Sequence, residues 1–251
     1  MDAPLLLLET LAFDAWPAAE VRDLDGWRLR STGGVTRRAN SVWPNQHQGR
    51  LPLPELLAAV EDFYGEREQP ALYQLSPLAR PAELDAVLAA RGYAVDAPTS
   101  ICVAEAAAAA RSPDAGIRVQ VEGALFDEWF EISGRRGRFS ETQAMYRGLL
   151  ERLGERALYA LAELEGESAA VGLAVVDRAW AGVFSMLTLT AHRKRGLARA
   201  VLGALAGAAQ ARGATNLYLQ VELENQAARA LYAGFGFRER YRYHYRVSPR
   251  A

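Results

Sequence analysis

The residues best equipped for chemistry fall in one turn, Met186–Ala198, which reads MLTLTAHRKRGLA. An apolar strand ends there, the basic triplet Arg193-Lys194-Arg195 follows, then Gly196, then the start of a helix. The first N–H groups of a helix lack an intrahelical acceptor, and the helix dipole favours an anion beside them. Glycine lets a bulky phosphate approach the backbone, and the cations add charge at the rim. Such a turn can cradle a diphosphate. A plainer reading fits the same residues: a capped helix with solvated arginines. The turn is not a Walker A loop, which needs Lys followed by Ser or Thr after its second glycine, and it is too poor in glycine for the dinucleotide fingerprint.

Charge and composition narrow the function classes. The chain has 251 residues, 50% hydrophobic and 24% charged, with a net charge of −1. That is a globular composition, sized for one large domain or two small ones. From His192 to Ala251 there are eleven Arg and Lys against three acids, so this segment carries +8 and the remainder −9. Such asymmetry suggests that the C-terminal segment handles an anion. A near-neutral total argues against a dedicated nucleic-acid binder. All but one of the 29 cations are arginine, Lys194 being the exception, so arginine as a type carries no weight and only its placement counts. No apolar run approaches the ~20 residues of a membrane helix. The opening run Leu5–Leu8 follows Asp2 and is broken by Glu9, a poor signal peptide. Cys102 is the single cysteine, and His47, His192 and His244 show no ligand spacing. The expectation is a cytoplasmic protein with no metal site, no membrane and no nucleic-acid partner.

The elements that must position the turn follow from periodicity. Glu105–Gly116 (EAAAAARSPDAG) is low in complexity and reads as a domain boundary that could include a short helical turn but has no apolar face to bury. After it, strands are expected at Ile117–Val121, Arg156–Leu164, Ser168–Val176, Ala181–Leu189, Thr215–Val221 and Phe237–Val247. Helices are expected at Ala124–Ile132, Thr142–Leu153, Leu197–Arg212 and Gln226–Gly234. Before it, strands are expected at Trp27–Ser31, Ala39–Trp43, Ala71–Leu75 and Tyr93–Val103, with helices at Glu55–Tyr64 and Glu83–Ala90. Leu72-Tyr73 matches Leu217-Tyr218, and Arg91-Gly92-Tyr93 matches Phe235-Gly236-Phe237, at nearly constant spacing. The same order of elements twice suggests a duplication.

With these elements in place, Arg193-x-x-Gly196-x-Ala198 resembles the signature of the GNAT acetyltransferase superfamily. Downstream, Asn225-Gln226-Ala227-Ala228-Arg229-Ala230-Leu231-Tyr232 and then Gly234-Phe235-Gly236-Phe237 resemble its second signature. The likeness covers about Ile117–Val247; Thr190 stands where many members have Pro. The fold it implies is α/β, with two GNAT-like mixed-sheet domains flanked by helices: residues 1–112, degenerate, and 113–251, catalytic.

The resemblance implies an acetyl-CoA-dependent N-acetyltransferase. Backbone N–H groups of Arg195, Gly196, Leu197 and Ala198 would hold the diphosphate, with Arg193 and Lys194 beside them. Leu187 and Thr188 would pair with the pantetheine arm, and a backbone N–H there would polarise the thioester carbonyl. Asn225 would touch the cofactor arm or serve as a helix N-cap, and the two roles are compatible. Tyr232 would act as general acid toward the departing thiolate, or else be a core aromatic. Glu222 is the best candidate general base, with Glu141 behind it, although water can serve. The implied acceptor is a small-molecule or peptide amine; a homodimer stays open. Loop Ser133–Ser140, with Arg135, Arg136 and Arg138, borders the acceptor or is merely solvated.

In the N-terminal half, Val42-Trp43-Pro44 resembles the end of the cofactor strand. There His47 replaces the signature Arg, Arg50 the loop glycine, and Pro52 the last small residue, removing an N–H; no acetyl-CoA is expected there. Thr36–Ser41 reads as a capped, solvated turn or as a contributor to an interdomain groove. The rival to an enzyme is a non-catalytic acyl-CoA-binding sensory module, which keeps the cradle and does not need Tyr232.

Overall fold

The structure is a computed structural model that describes residues 3–135, 139 and 141–249. By its internal contacts the chain divides into two units, Met1–Ser100 with Tyr241–Ala251, and Ile101–Arg240. The division differs from the boundary after residue 112 expected from the sequence.

Unit 1 begins with α1 (Ala3–Asp14), followed by β1 (Glu20–Leu24), β2 (Trp27–Ser31) and β3 (Val42–Trp43). Then come α2 (Leu53–Gly65), β4 (Leu72–Leu75), α3 (Leu84–Ala90) and the first part of β5 (Ala94–Glu105). β1, β2 and β3 pair antiparallel in turn, and β3 runs parallel to β4. Helix α2 buries Leu56, Leu57, Val60, Phe63 and Tyr64, the i, i+1, i+4, i+7, i+8 stripe of an amphipathic helix. That stripe meets Trp27, Leu29, Val42, Tyr73 and Leu75 in one core. Asp25 (φ +51°) and Gly26 (φ +84°) form the tight turn between β1 and β2, the Asp-Gly pair that such hairpins favour. The second strand of this hairpin, Trp27–Ser31, has the expected bounds, whereas β1 and α1 are absent from the expected elements.

The strand expected at Ala39–Trp43 shrinks to Val42–Trp43, because Asn40 organises a loop instead. Its Oδ1 accepts the N–H groups of Thr32 and Gly34, and its Nδ2 donates to the carbonyls of Val35 and Thr36. Ala39, Asn40 and Ser41 are buried while Arg37 is exposed, so that turn is capped and solvated only in its first half.

Unit 2 takes the rest of β5 and then α4 (Ala106–Ala109), β6 (Ile117–Glu122) and α5 (Asp127–Phe130), which runs into a π-helical turn, Glu131–Arg135. There follow α6 (Gln143–Glu151), β7 (Ala157–Leu164), β8 (Glu167–Asp177), β9 (Trp180–Thr188), α7 (Leu197–Ala211), β10 (Asn216–Glu222) and α8 (Gln226–Ala233). The last strand, β11 (Arg238–Val247), has its greater part in unit 1. β6 to β9 pair antiparallel in sequence order, and β10 joins β9 in parallel. Helix α7 buries Leu197, Ala200, Val201, Leu202, Leu205, Ala206 and Ala209, the face that anchors the core of this unit.

The alanine-rich stretch after β5 is not a bare linker: Ala106 and Ala109 are buried in that core. Helix α7 offers Gly203 and Gly207 there. A Cβ on Gly203 would lie 2.6 Å from the Arg111 carbonyl oxygen, whereas one on Gly207 would meet Ala110 Cβ at 3.9 Å. Small residues on both partners let the backbones approach, which a reading for large apolar side chains misses. Among the described residues no helix is long and apolar enough to cross a membrane.

Candidate functional site

Two backbone features open the sheet of unit 2 at the end of β9. The first is a bulge. Val171 faces Leu187 while Leu173 faces Phe184, so β9 carries one more residue than β8 over this span. Ser185 absorbs it with φ +49°, as expected where a strand must kink. The second is a parting of strands. β9 and β10 stay in register from Trp180 and Asn216 to Val183 and Leu219, and both strands continue beyond that point.

The bulge is anchored from α6. Ser185 Oγ lies 2.9 Å from the Tyr146 hydroxyl, which lies 2.8 Å from Ser133 Oγ in the π-helical turn. Tyr146 is fully buried and stacked on Phe139, with ring centroids 4.0 Å apart. The Trp129 indole N–H donates to the Gly172 carbonyl opposite the bulge. The segment expected to end a helix at Ile132 and continue as a polar loop is thus a buried turn with a structural task as far as Arg135. Arg135 pairs with Glu131 at 2.9 Å; Arg136 and Arg138 lie outside the described residues.

After β9 a 3₁₀ turn, Thr190–His192, leads into the basic triplet. Lys194 has φ +61° and Gly196 φ +85°, an alternation that turns successive N–H groups into an anion-binding concavity. The left-handed torsion at Gly196 calls for glycine, and a Cβ there would lie 3.1 Å from Asp114 Oδ2 and 3.3 Å from Ile117 Cδ1. The Ala200 N–H bonds the Gly196 carbonyl, which leaves the N–H groups of Leu197, Ala198 and Arg199 at the open helix start.

These parts enclose a cleft of about 780 Å³ in unit 2, within the usual range of small-ligand sites. Its walls bring together nine of the residues expected from the sequence. Leu187 and Thr188 come from the end of β9; Arg193, Lys194, Gly196, Leu197 and Ala198 from the turn and α7; Asn225 and Tyr232 from α8. Asn225 also accepts the Ala228 N–H at 3.1 Å, so it is the N-cap of α8 and a wall residue at once. Tyr232 sits edge-on to Phe237, with centroids 5.9 Å apart.

Three expected residues are not in the wall. The Arg195 side chain leaves the cleft and pairs with Glu165 of the β7–β8 turn at 2.5 Å. Glu222 ends β10, exposed and outside the wall. Glu141 is likewise exposed, in the turn before α6. Conversely, Met186, His192, Arg199 and Leu231 line the cleft without having been singled out. His192 Nε2 lies 3.3 Å from Glu167 Oε2, and its Nδ1 is buried without a hydrogen-bond partner. Only its place directly before Arg193 could have signalled it.

A β9 bulge, a parted parallel pair and a glycine-led helix start at its mouth agree with the GNAT-like fold that the two signatures resemble. A family model described as "Probable histone acetyltransferase Rv0428c C-terminal" matches residues 5–246, and the chain belongs to that family. It is similar to "Uncharacterized N-acetyltransferase YobR" of Bacillus subtilis, 29% identical over 248 residues that cover 96% of this chain and 97% of that one. Among solved structures it resembles a tandem GNAT protein from the clavulanic acid biosynthesis pathway, with a TM-score of 0.64, 16% identity, and 82% and 74% of the two chains covered. It also resembles a GCN5-related N-acetyltransferase from Kribbella flavida, with a TM-score of 0.59, 18% identity, and 79% and 76% covered. At these identities the structural likeness establishes the fold.

Proposed function

We propose that the chain transfers the acetyl group of acetyl-CoA to an amine acceptor, a small molecule or a peptide, by direct attack, with the cleft of unit 2 as the working site. The observation that carries this reading is the convergence in one cleft of an anion-binding helix start, two cations, an open strand end and a phenol. The N–H groups of Leu197 and Ala198, with Arg193 and Lys194, suit a diphosphate. The edge of Leu187–Thr188, beyond the β10 pairing that ends at Val183, suits an amide-bearing arm that pairs like a strand. A backbone N–H near the bulge would stabilise the oxyanion formed when a neutral amine attacks the thioester carbon. The C–N bond forms and the C–S bond breaks; Tyr232 supplies a proton to the departing sulfur, and the amine's surplus proton leaves to water.

Unit 1, with its parallel order of elements, is read as the degenerate copy and unit 2 as the catalytic one. A second reading, an acyl-CoA-binding sensory module, is retained on one observation: no carboxylate lines the cleft among the described residues. Acetyl-CoA should raise the melting temperature, because it would bind only the folded cradle. An amine panel followed by CoA release should then yield a substrate. No thermal shift at saturating acetyl-CoA sinks both readings; tight binding with no acetylated amine favours the sensor.

A further inference from the structure

Unit 1 repeats the architecture that builds the cradle. Two antiparallel strands, a third strand, a turn and a helix follow one another as β1, β2, β3, the turn 44–52 and α2, just as β7, β8, β9, the turn 189–196 and α7 do in unit 2. The turn of unit 1 is not empty. Asp25, at the tip of the β1–β2 hairpin, places its carboxylate there, with only 1% of the side chain exposed. It accepts the backbone N–H of Arg50 at 3.1 and 3.2 Å and that of Leu51 at 3.2 Å. Arg50 Nε lies 3.4 Å and His47 Nε2 3.3 Å from the same carboxylate. The next residue, Gly26, lies so close to the turn that a Cβ on it would overlap the Gln46 carbonyl oxygen, and the Asp25 carbonyl accepts the Gln48 N–H.

Backbone N–H groups at a helix approach, an arginine and a histidine make up an anion site by their chemistry. We infer that the cradle of unit 1 is a diphosphate-type anion site that its own Asp25 carboxylate occupies, so the chain takes up one CoA, in unit 2, and loss of this carboxylate opens a second anion site. The hydrogen bonds support this. Burial acts to raise the Asp25 carboxyl, yet the N–H groups of Leu51 and Arg50, the Arg50 side chain and His47 together hold it below the usual carboxylate range. The related hairpin tip in unit 2 carries Glu165, which engages the exposed Arg195 side chain and leaves the backbone N–H groups alone. The same hairpin therefore plugs one cradle and only flanks the other.

The inference rests on the acetyl-CoA reading for its stoichiometry and stands apart from it for the anion site. Calorimetric titration of the wild-type chain with CoA should give one site per chain; two would overturn the inference. Zero would overturn the acetyl-CoA reading and leave a second arm to decide. In that arm the chain carries Arg193→Glu and Lys194→Glu, which silences the unit 2 cradle, and is heated with inorganic pyrophosphate against sodium chloride of equal ionic strength. With Asp25 intact the melting temperature should not respond. With Asp25→Ala it should start lower and rise by about 3 °C at about ten times the dissociation constant. Should that variant not fold, Asp25→Asn keeps the shape, removes the charge and should still rise. A variant that responds no more than its Asp25 parent shows that Asp25 is only a turn cap and overturns the inference.

Discussion

Tyr232 is the side chain on which enzyme and sensor part. Tyr232→Phe removes one hydroxyl and keeps the ring against Phe237, so packing and acetyl-CoA affinity should change little. If the phenol protonates the thiolate, kcat should fall by about 10²–10⁴-fold, while the acetyl-CoA dissociation constant moves less than about threefold. Steady-state kinetics with a working acceptor, beside a binding titration, check this; turnover preserved within a few-fold makes Tyr232 structural. The cations sort by direction rather than by type. Arg193 and Lys194 line the cleft while Arg195 pairs with Glu165. Reversing Arg193 and Lys194 to Glu should weaken acetyl-CoA binding by about tenfold or more, with the loss shrinking as salt rises, whereas Arg195→Glu should cost much less. Equal losses in titrations at two salt concentrations would place Arg195 in the cradle after all.

At the scale of elements, the bulge of β9 depends on α6 through the Ser133–Tyr146–Ser185 hydroxyl chain. Tyr146→Phe leaves the Ser185 hydroxyl without its phenol partner and loosens the residue that carries φ +49°. The expected outcome is a fall in kcat with the acetyl-CoA dissociation constant little changed, because the cradle is a separate piece of backbone; a change in affinity alone would refute the role. The helix pair α4–α7 offers a contrast of sign. Alanine favours a helix over glycine by ~1 kcal/mol, so Gly207→Ala, with room at 3.9 Å, should stabilise by about 0.5–1 kcal/mol. Gly203→Ala meets a backbone oxygen at 2.6 Å and should destabilise by about 1–3 kcal/mol. Urea midpoints moving in the same direction for both would refute the close packing of α4 on α7.

For the molecule as a whole, stability below pH 4 should track two acids of unit 1. Asp85 joins Arg246 Nε at 2.7 Å and His244 Nε2 at 3.1 Å. Burial acts to raise its carboxyl, but the hydrogen bonds and charges of Arg246 and His244 outweigh it, so Asp85, like Asp25, lies below the usual carboxylate range. A folded pKa below the unfolded value adds stability above the unfolded pKa, about 3.9, and that contribution disappears as pH falls through the folded value. Asp85→Asn should therefore lower the urea midpoint at pH 7 and differ little from the wild type near pH 2. A deficit of the same size at both pH values would mean that packing, not charge, is lost. The +8 of the C-terminal segment is likewise not one patch: Arg193 and Lys194 face the cleft, Arg212 donates to the carbonyls of Glu155 and Ala157, and Arg246 serves Asp85.

What could be read from the amino acids alone was local. A strand end, a glycine and a helix start lie within a dozen residues, and their N–H groups point outward whatever the rest of the chain does. The cradle and the α8 cap at Asn225 were legible for that reason, as was the order of most strands and helices, whereas Tyr232 was singled out by the resemblance to the second GNAT signature. The tertiary structure decided which groups meet across long gaps: Asp25 with Arg50, Arg195 with Glu165, Tyr146 with Ser185, Ala106 with the core around α7. Each of these side chains has several plausible partners in the sequence, and sheet register and burial choose among them. Glu222 lies outside the wall together with the rest of β10. The anion-binding chemistry is written in backbone torsions that nearby residues dictate. Which of two similar cradles is open depends on a carboxylate about 25 residues away in sequence, brought there by the fold and kept there because its desolvation is offset only in that place.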